Sequence, residues 1–248
     1  GPSRNIMVDH HPSITILIPA YNEEQTLEKA VSIIRETLLA LRIESEIVIV
    51  NDCSIDTTGA IADSLTENEP SITVIHHSAN QGIGGAFRTG TGHATKDFII
   101  LMPVDNPLTK EELEIYLPRM SICDIVVGVR VERVGYHPVA HAASFIYNRI
   151  LVPILFNIGV SDVNWIQAYR REIFVGGGIS IEYTGIFFLV ELLVKARHKK
   201  LIIAEVPSQM RRRMYGIPTS ARYGTMWRTF WDMIDFFVKI HSRRRTRS

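Results

Sequence analysis

Cysteine is nearly absent: Cys53 and Cys123 are the only two in 248 residues. Two thiols with no metal-ligand spacing build neither a disulfide framework nor a metal knot, and they fit a reduced compartment. An excess of charge of either sign is missing as well. Lys plus Arg number 27 against 26 for Asp plus Glu, a formal net charge of +1. That balance argues against a general nucleic-acid binder. Long apolar runs are lacking too. A bilayer span needs about 20 consecutive apolar residues. The best window, Ala142 to Val160, is broken by Asn148, Arg149, Pro153 and Asn157. No internal repeat, low-complexity segment or Gly/Ser/Pro-rich linker divides the chain. Disorder, collagen and coiled coil are therefore excluded as readings of the whole. No signal-peptide pattern is visible, and Gly1-Pro2-Ser3 reads as a protease scar, so a cytoplasmic location is expected.

What is present is an ordinary globular composition, 46% apolar and 21% charged, in a 28.1 kDa chain. That is enough to bury a substantial core without staples. The runs Ser13 to Pro19, Glu46 to Asn51, Ile72 to Ile75, Phe98 to Met102 and Ile125 to Val129 read as buried strands. Between them lie helical patterns. Leu27, Val31, Ile34, Leu38 and Leu41 share one face after a capping signal at Asn22 and Gln25. Asp56 is placed to cap a second helix, Gly85 to Ala94 reads as a third, and Thr109 with Glu112 forms a capping box for a fourth. Strand alternating with helix predicts a mostly parallel α/β sheet with helices on both faces. After Arg130 the rhythm changes to a helix over roughly His141 to Ile158, a short strand near Ile166 to Tyr169, a helix from Phe187 to Arg197 and a strand from Leu201 to Val206. A last helix, Met226 to Ile240, carries Trp227, Phe230, Trp231, Ile234 and Phe237 on one stripe.

Ligands of parallel sheets sit beyond the carboxyl ends of the strands. The polar clusters fall there: Tyr21-Asn22-Glu23, Asn51-Asp52, His76-His77 and Asp105-Asn106. Asp52 and Asp105 are carboxylates suited to a base N–H or to a hard cation, or else to capping a turn. Asn80-Gln-Gly-Ile-Gly-Gly-Ala86 is a glycine-rich turn before a helix. It either lets backbone approach a phosphate or is a structural turn. Arg130 and Arg211 to Arg213 stand at strand ends and suit phosphate. The aromatic stripe and the Arg243-Arg244-Arg245-Thr246-Arg247 tail fit either core packing and a solvated end, or a membrane surface.

Three blocks then carry a resemblance. Pro19-Ala-Tyr-Asn-Glu23, Val50-Asn-Asp-Cys-Ser-Ile-Asp-Thr57 and Asn80-Gln-Gly-Ile-Gly-Gly-Ala-Phe-Arg-Thr-Gly90 resemble the family 2 glycosyltransferases, nearest the dolichol- and polyprenyl-phosphate mannosyltransferases. Gly128-Val-Arg130, Asp162 to Arg171, Glu205-Val-Pro207 and Arg213 to Gly216 agree with it. The resemblance implies a GT-A fold (Rossmann-like) over 13–216, after a tag remnant and arm over 1–12. An amphipathic helix and basic tail follow over 217–248. It also implies an inverting transfer from a nucleoside-diphosphate sugar, GDP- or UDP-linked, to a polyprenyl phosphate at the cytoplasmic membrane face. Carried over by position, Pro19, Ala20, Tyr21, Glu23, Asp52 and Gly82 line the nucleotide pocket. Asp105 faces the diphosphate and its Mg²⁺ or Mn²⁺, and Arg213 the diphosphate side. Arg130 meets the acceptor phosphate. His141 stands in for a second acceptor arginine, because Ala140 and His141 occupy the place where the family often has one.

Of the family's Asp-Ala-Asp-Leu-Gln metal motif, this chain keeps only Asp105, in Pro103-Val-Asp-Asn-Pro107. A hydroxyl acceptor would instead need a general base, with Asp162 as the candidate. Three alternatives stay open beside a lipid-phosphate acceptor: a saccharide or other soluble hydroxyl acceptor, a nucleotide-sugar-binding protein without transfer, and a peripheral membrane scaffold.

Overall fold

The computed structural model describes residues 11–67, 69–133, 145–210 and 223–245. Its frame is a seven-stranded sheet of order β3-β2-β1-β4-β6-β5-β7. The strands are β1 (Ile14–Ala20), β2 (Ser45–Asn51), β3 (Ile72–His76), β4 (Phe98–Leu101), β5 (Ile125–Arg133), β6 (Gln167–Arg170) and β7 (Ile203–Met210). All pairings are parallel except those of β6, which runs antiparallel to both β4 and β5. The helices are α1 (Leu27–Ala40), α2 (Thr58–Thr66), α3 (Gly82–His93), α4 (Lys110–Met120), α5 (Val152–Phe156), α6 (Phe188–His198) and α7 (Tyr223–Arg245). A π-helical turn, Tyr147–Leu151, leads into α5.

β1 and β2 are nearly continuous β-branched runs because the sheet is covered on both faces. Alternation sends Ile14, Ile16 and Ile18 of β1 to one core, shared with Leu27, Val31 and Ile34 of α1 and Leu113 and Leu117 of α4. Leu17 points into the other core, with Phe87 of α3, Phe187 and Phe188 near the start of α6, and Met233 and Phe236 of α7. The last helix is therefore part of the body.

Sequence and structure differ most at helix starts. The expected Asn22–Gln25 cap is not used. Asn22 takes a left-handed φ of 56° and α1 begins at Leu27. Its side chain reaches across instead, Oδ1 accepting from Ile55 N at 3.0 Å, while its own N donates to Ser54 Oγ at 3.0 Å. Glu24 Oε2 likewise accepts from Thr57 Oγ1 at 2.7 Å. Hydrogen bonds between the β1–α1 and β2–α2 loops have replaced local capping. The Thr109–Glu112 capping box is formed as expected. Of the helix expected over His141 to Ile158, residues 141–144 lie outside the described residues, and the rest is the π-helical turn plus α5.

Candidate active site

Sheet order reverses direction between β1 and β4: β2 and β3 lie to one side of β1, and β4 to the other. A crevice opens at such a switch point because the loops leaving the two strands turn to opposite faces. The residues there are Pro19 to Glu23 at the end of β1 and in the turn beyond it, and Pro103 to Asp105 after β4, with Asp52 alongside. Asp52 N donates to Ala20 O at 2.9 Å and Met102 N to Leu17 O at 2.9 Å, so the backbones leave the sheet in register. Tyr21 is 46% exposed in this opening.

Asp52 is buried, and its carboxylate holds the glycine-rich turn. Oδ1 accepts from Gln81 N at 2.8 Å and Oδ2 from Gly82 N at 2.8 Å. His77 Nδ1 faces Oδ1 at 2.7 Å, and its Nε2 faces Thr89 Oγ1 at 2.9 Å. A carboxylate at the amides opening a helix is favourable. These two amides are thus taken by Asp52. Gly82, at φ +73°, lies against a distant segment: a Cβ there would stand 2.6 Å from Thr184 O. Gly84 N donates to the same carbonyl at 2.9 Å. One of the four acceptor positions of the Asp52 carboxylate remains beyond these three bonds.

Asp105 is half-buried beside the buried Asn106. Among the described residues no three His, Cys, Asp or Glu side chains are grouped to hold a metal ion. One carboxylate next to an amide fits a hard cation whose shell is completed by diphosphate oxygens and water.

Further along the same edge, in the C-terminal half of β5, Arg130 is 8% exposed and meets Asp162, which is 1% exposed. Nε donates to Oδ2 and Nη2 to Oδ1, each at 2.7 Å, a bidentate pair. Trp165 stacks on the guanidinium, 5.0 Å from Cζ to ring centroid. Behind it lies a buried polar chain. Trp165 Nε1 donates to Ser208 Oγ at 2.8 Å, and Ser208 Oγ to Glu112 Oε1 at 3.1 Å. Glu112 Oε2 accepts from Thr109 N at 3.1 Å as its half of the capping box. Tyr116 Oη donates to Ile166 O at 3.2 Å, and burial pushes its pKa up, so it stays a donor.

Sequence reasoning put Asp52, Asp105 and Arg130 at strand ends and named Asp162 as a candidate base; the structure has the first three along the carboxyl edge of the sheet and brings Asp162 onto Arg130. It did not single out Glu112, Trp165, Ser208 or His77 as partners. The available signal was Gly128 two residues before Arg130, on the same face of β5. Arg213 and His141 lie outside the described residues.

Residues 15–176 match the family model described as Glycosyl transferase family 2. The chain is 26% identical over 206 residues to the undecaprenyl-phosphate mannosyltransferase of Micrococcus luteus, covering 78% of this chain and 82% of that one. It is 28% identical over 202 residues to the dolichol-phosphate mannosyltransferase of Pyrococcus furiosus, covering 78% of this chain but 55% of that one. It is similar in structure to glucosyl-3-phosphoglycerate synthase from Mycobacterium tuberculosis, solved with Mn²⁺, UDP-glucose and phosphoglyceric acid. The TM-score is 0.68 at 16% identity, over 91% of this chain and 80% of that one. At that identity the likeness is one of fold, and the fold is GT-A.

Proposed function

Because the chain belongs to glycosyl transferase family 2, we propose that it moves a sugar from a nucleoside-diphosphate sugar to a polyprenyl phosphate. The observation that carries this reading is the shared edge. The β1–β4 switch point, with the half-exposed Tyr21, lies on the same carboxyl edge of the sheet as a buried arginine in the C-terminal half of β5. Tyr21 and the remaining acceptor position of Asp52 are assigned to the base. Pro19, Ala20, Glu23 and Gly82 shape that pocket. Asp105 is assigned to the diphosphate, with Mg²⁺ or Mn²⁺ carried in on it to offset its charge. Arg130 is assigned to the acceptor phosphate, and Arg213 and His141 keep the roles the family resemblance implies.

The chemistry is a displacement. An anionic oxygen of the acceptor phosphate attacks the anomeric carbon. The bond from that carbon to the diphosphate oxygen breaks, and its electron pair leaves with the nucleoside diphosphate. An oxygen already ionised needs no strong base, so stabilising the leaving charge is the main demand on the protein.

The acceptor's lipid tail gives the protein a reason to meet a membrane surface. Among the described residues no helix is long and apolar enough to cross a membrane. Peripheral attachment is supported by exposed aromatics instead: Trp227 is 64%, Trp231 54% and Phe145 53% exposed.

The test is a calorimetric panel of UDP, GDP, CDP and dTDP with and without Mg²⁺ or Mn²⁺, followed by turnover of the matching nucleotide sugars. Selective binding of one diphosphate, and its release from the sugar donor only when polyprenyl phosphate is present, is expected. Failure to bind any of the four overturns the reading. Release that requires a saccharide hydroxyl moves the acceptor assignment to that class.

A further inference from the structure

We infer that Asp162 is a positioning residue for Arg130 and not the base of the reaction, with Trp165 as the other half of the mount. This rests on the acceptor-phosphate reading above and adds which residues make that arginine a directed group.

A general base needs a carboxylate whose lone pairs can meet a substrate proton. Asp162 directs both oxygens at one guanidinium, and Oδ2 also faces Arg130 N at 3.3 Å. Its loop is pinned on both sides. Ser161 N donates to Glu205 Oε1, and Val163 N donates to Asn148 Oδ1 at 3.0 Å, with Asn148 itself buried. A carboxylate fixed at this precision sets the plane and heading of the guanidinium it grips, because the fork geometry admits one arrangement.

Gly128 shows that the stack is built for the same end. A Cβ at Gly128 would stand 2.0 Å from Tyr116 Oη and 2.9 Å from Trp165 Cδ1. Its absence lets the indole slide under the arginine two residues on. The Gly128-Val-Arg130 spacing thus joins the charge to the space its platform needs. Trp165 is in turn tethered through Ser208 to Glu112, on the helix that follows the Asp105 loop. The chain of contacts connects the arginine's platform to the element that carries the diphosphate aspartate.

The sign of the effect separates this role from its rivals. If Asp162 only balances charge, then Asp162→Asn frees a positive charge near an anionic acceptor and lowers acceptor KM. If it is a base, then Asp162→Asn lowers kcat at unchanged acceptor KM, and the pH–rate profile loses its acid limb. If it positions Arg130, then acceptor KM rises by about tenfold or more, the scale of small misplacements at a reacting centre. Donor KM and the shape of the pH profile then stay as in the wild type.

Initial rates are measured against a short-chain polyprenyl phosphate and against donor, from pH 5.5 to pH 9 (roughly the window in which a shifted carboxylate base titrates). Trp165→Phe is assayed in parallel. It leaves the ion pair and its charge in place while losing the Ser208 tether, so it reports on positioning even if Asp162→Asn fails to fold. A raised acceptor KM in both variants, or in Trp165→Phe alone where the other does not fold, is the result expected. An unchanged or lowered acceptor KM in Trp165→Phe overturns the inference, as does either rival pattern in Asp162→Asn. A wild type that turns over no lipid phosphate overturns the acceptor reading and this inference with it. Wild-type turnover with unmoved variants overturns the inference alone.

Discussion

Gly90 and Gly92 sit two residues apart in α3 and carry opposite expectations. A Cβ on Gly90 would meet Leu17 Cδ1 at 2.0 Å, and Leu17 is fully buried in the core. Overpacking of that kind costs about 1–3 kcal/mol, against a helix-propensity gain of about 1 kcal/mol for alanine over glycine. Gly90→Ala is therefore destabilising on balance. Gly92 is exposed, with nothing within 4 Å of its would-be Cβ. Gly92→Ala keeps the propensity gain and should stabilise by roughly 0.5–1 kcal/mol. Denaturant midpoints of the two variants check the pair, and a stabilised Gly90→Ala would mean that Leu17 has room to swing aside. The glycine cluster itself was legible in the sequence as a turn before a helix. What it approaches was not, because Thr184 and Tyr183 lie about a hundred residues further on and no local pattern reports such a contact. Asp52 is the same case. Its place at a strand end was readable, but its grip on Gln81 N and Gly82 N depends on the two segments being brought together.

Helix α7 divides its aromatic residues differently from the sequence stripe. Met233 and Phe236 enter the core, while Trp227, Phe230 and Trp231 remain outside, packed on one another with centroids 5.8–5.9 Å apart. Periodicity located the helix, but with apolar residues on more than one face it did not decide which face turned inward. Polar contacts complete the docking. Tyr183 Oη donates to Asp235, which Lys239 holds from one turn further along the same helix at 2.7 Å, and Arg228 donates to Thr184 Oγ1.

One group in this interface is held at a cost. Among the described residues Asp232 Oδ2 is buried with no hydrogen-bond partner, as is Tyr147 Oη. Burial pushes the Asp232 pKa up, with Arg228 only partly opposing it. A carboxylic acid whose folded pKa is raised binds its proton more tightly in the folded state. Its contribution is most favourable below the unfolded value and is lost as pH rises through the folded one. Asp232→Asn should therefore raise the unfolding temperature at pH 7. The difference should vanish below about pH 4, where the aspartate is protonated in both states. A gain that persists unchanged at low pH would assign the effect to something other than this charge.

Over the whole molecule, the alternating first half was readable because fully buried parallel strands are apolar runs separated by capped helices. The insertion of β6 between β4 and β5 was not readable, since a four-residue antiparallel strand carries no signal of its neighbours or direction. That insertion continues the sheet to β5 and sets the Arg130–Asp162 pair on the same edge as the β1–β4 switch point. A lipid-phosphate acceptor requires that edge to work within reach of a bilayer.

The proposed membrane attachment rests on exposed apolar residues. Ile146, Ile150 and Ile154 fall on one helical face at four-residue spacing and are 46%, 40% and 75% exposed. Their segment continues into α5, whose Phe156 packs on Phe236 of α7 at 5.7 Å. With Trp227 and Trp231 outside on α7, two neighbouring helices each present an apolar face. In that proposal Arg243, Arg244, Arg245 and Arg247 add attraction to anionic headgroups, worth about 1 kcal/mol each near the surface. Wild-type protein should therefore co-sediment with vesicles containing anionic phospholipid, and less so at high salt as screening shortens the reach of those charges. Trp227→Ser with Trp231→Ser removes two large interfacial side chains. At about 25 cal/mol per Å² of apolar area, partitioning should fall at least tenfold while nucleotide binding in solution stays unchanged. Equal co-sedimentation of wild type and double variant would take the aromatic face out of the attachment and leave it to the isoleucine face and the basic residues.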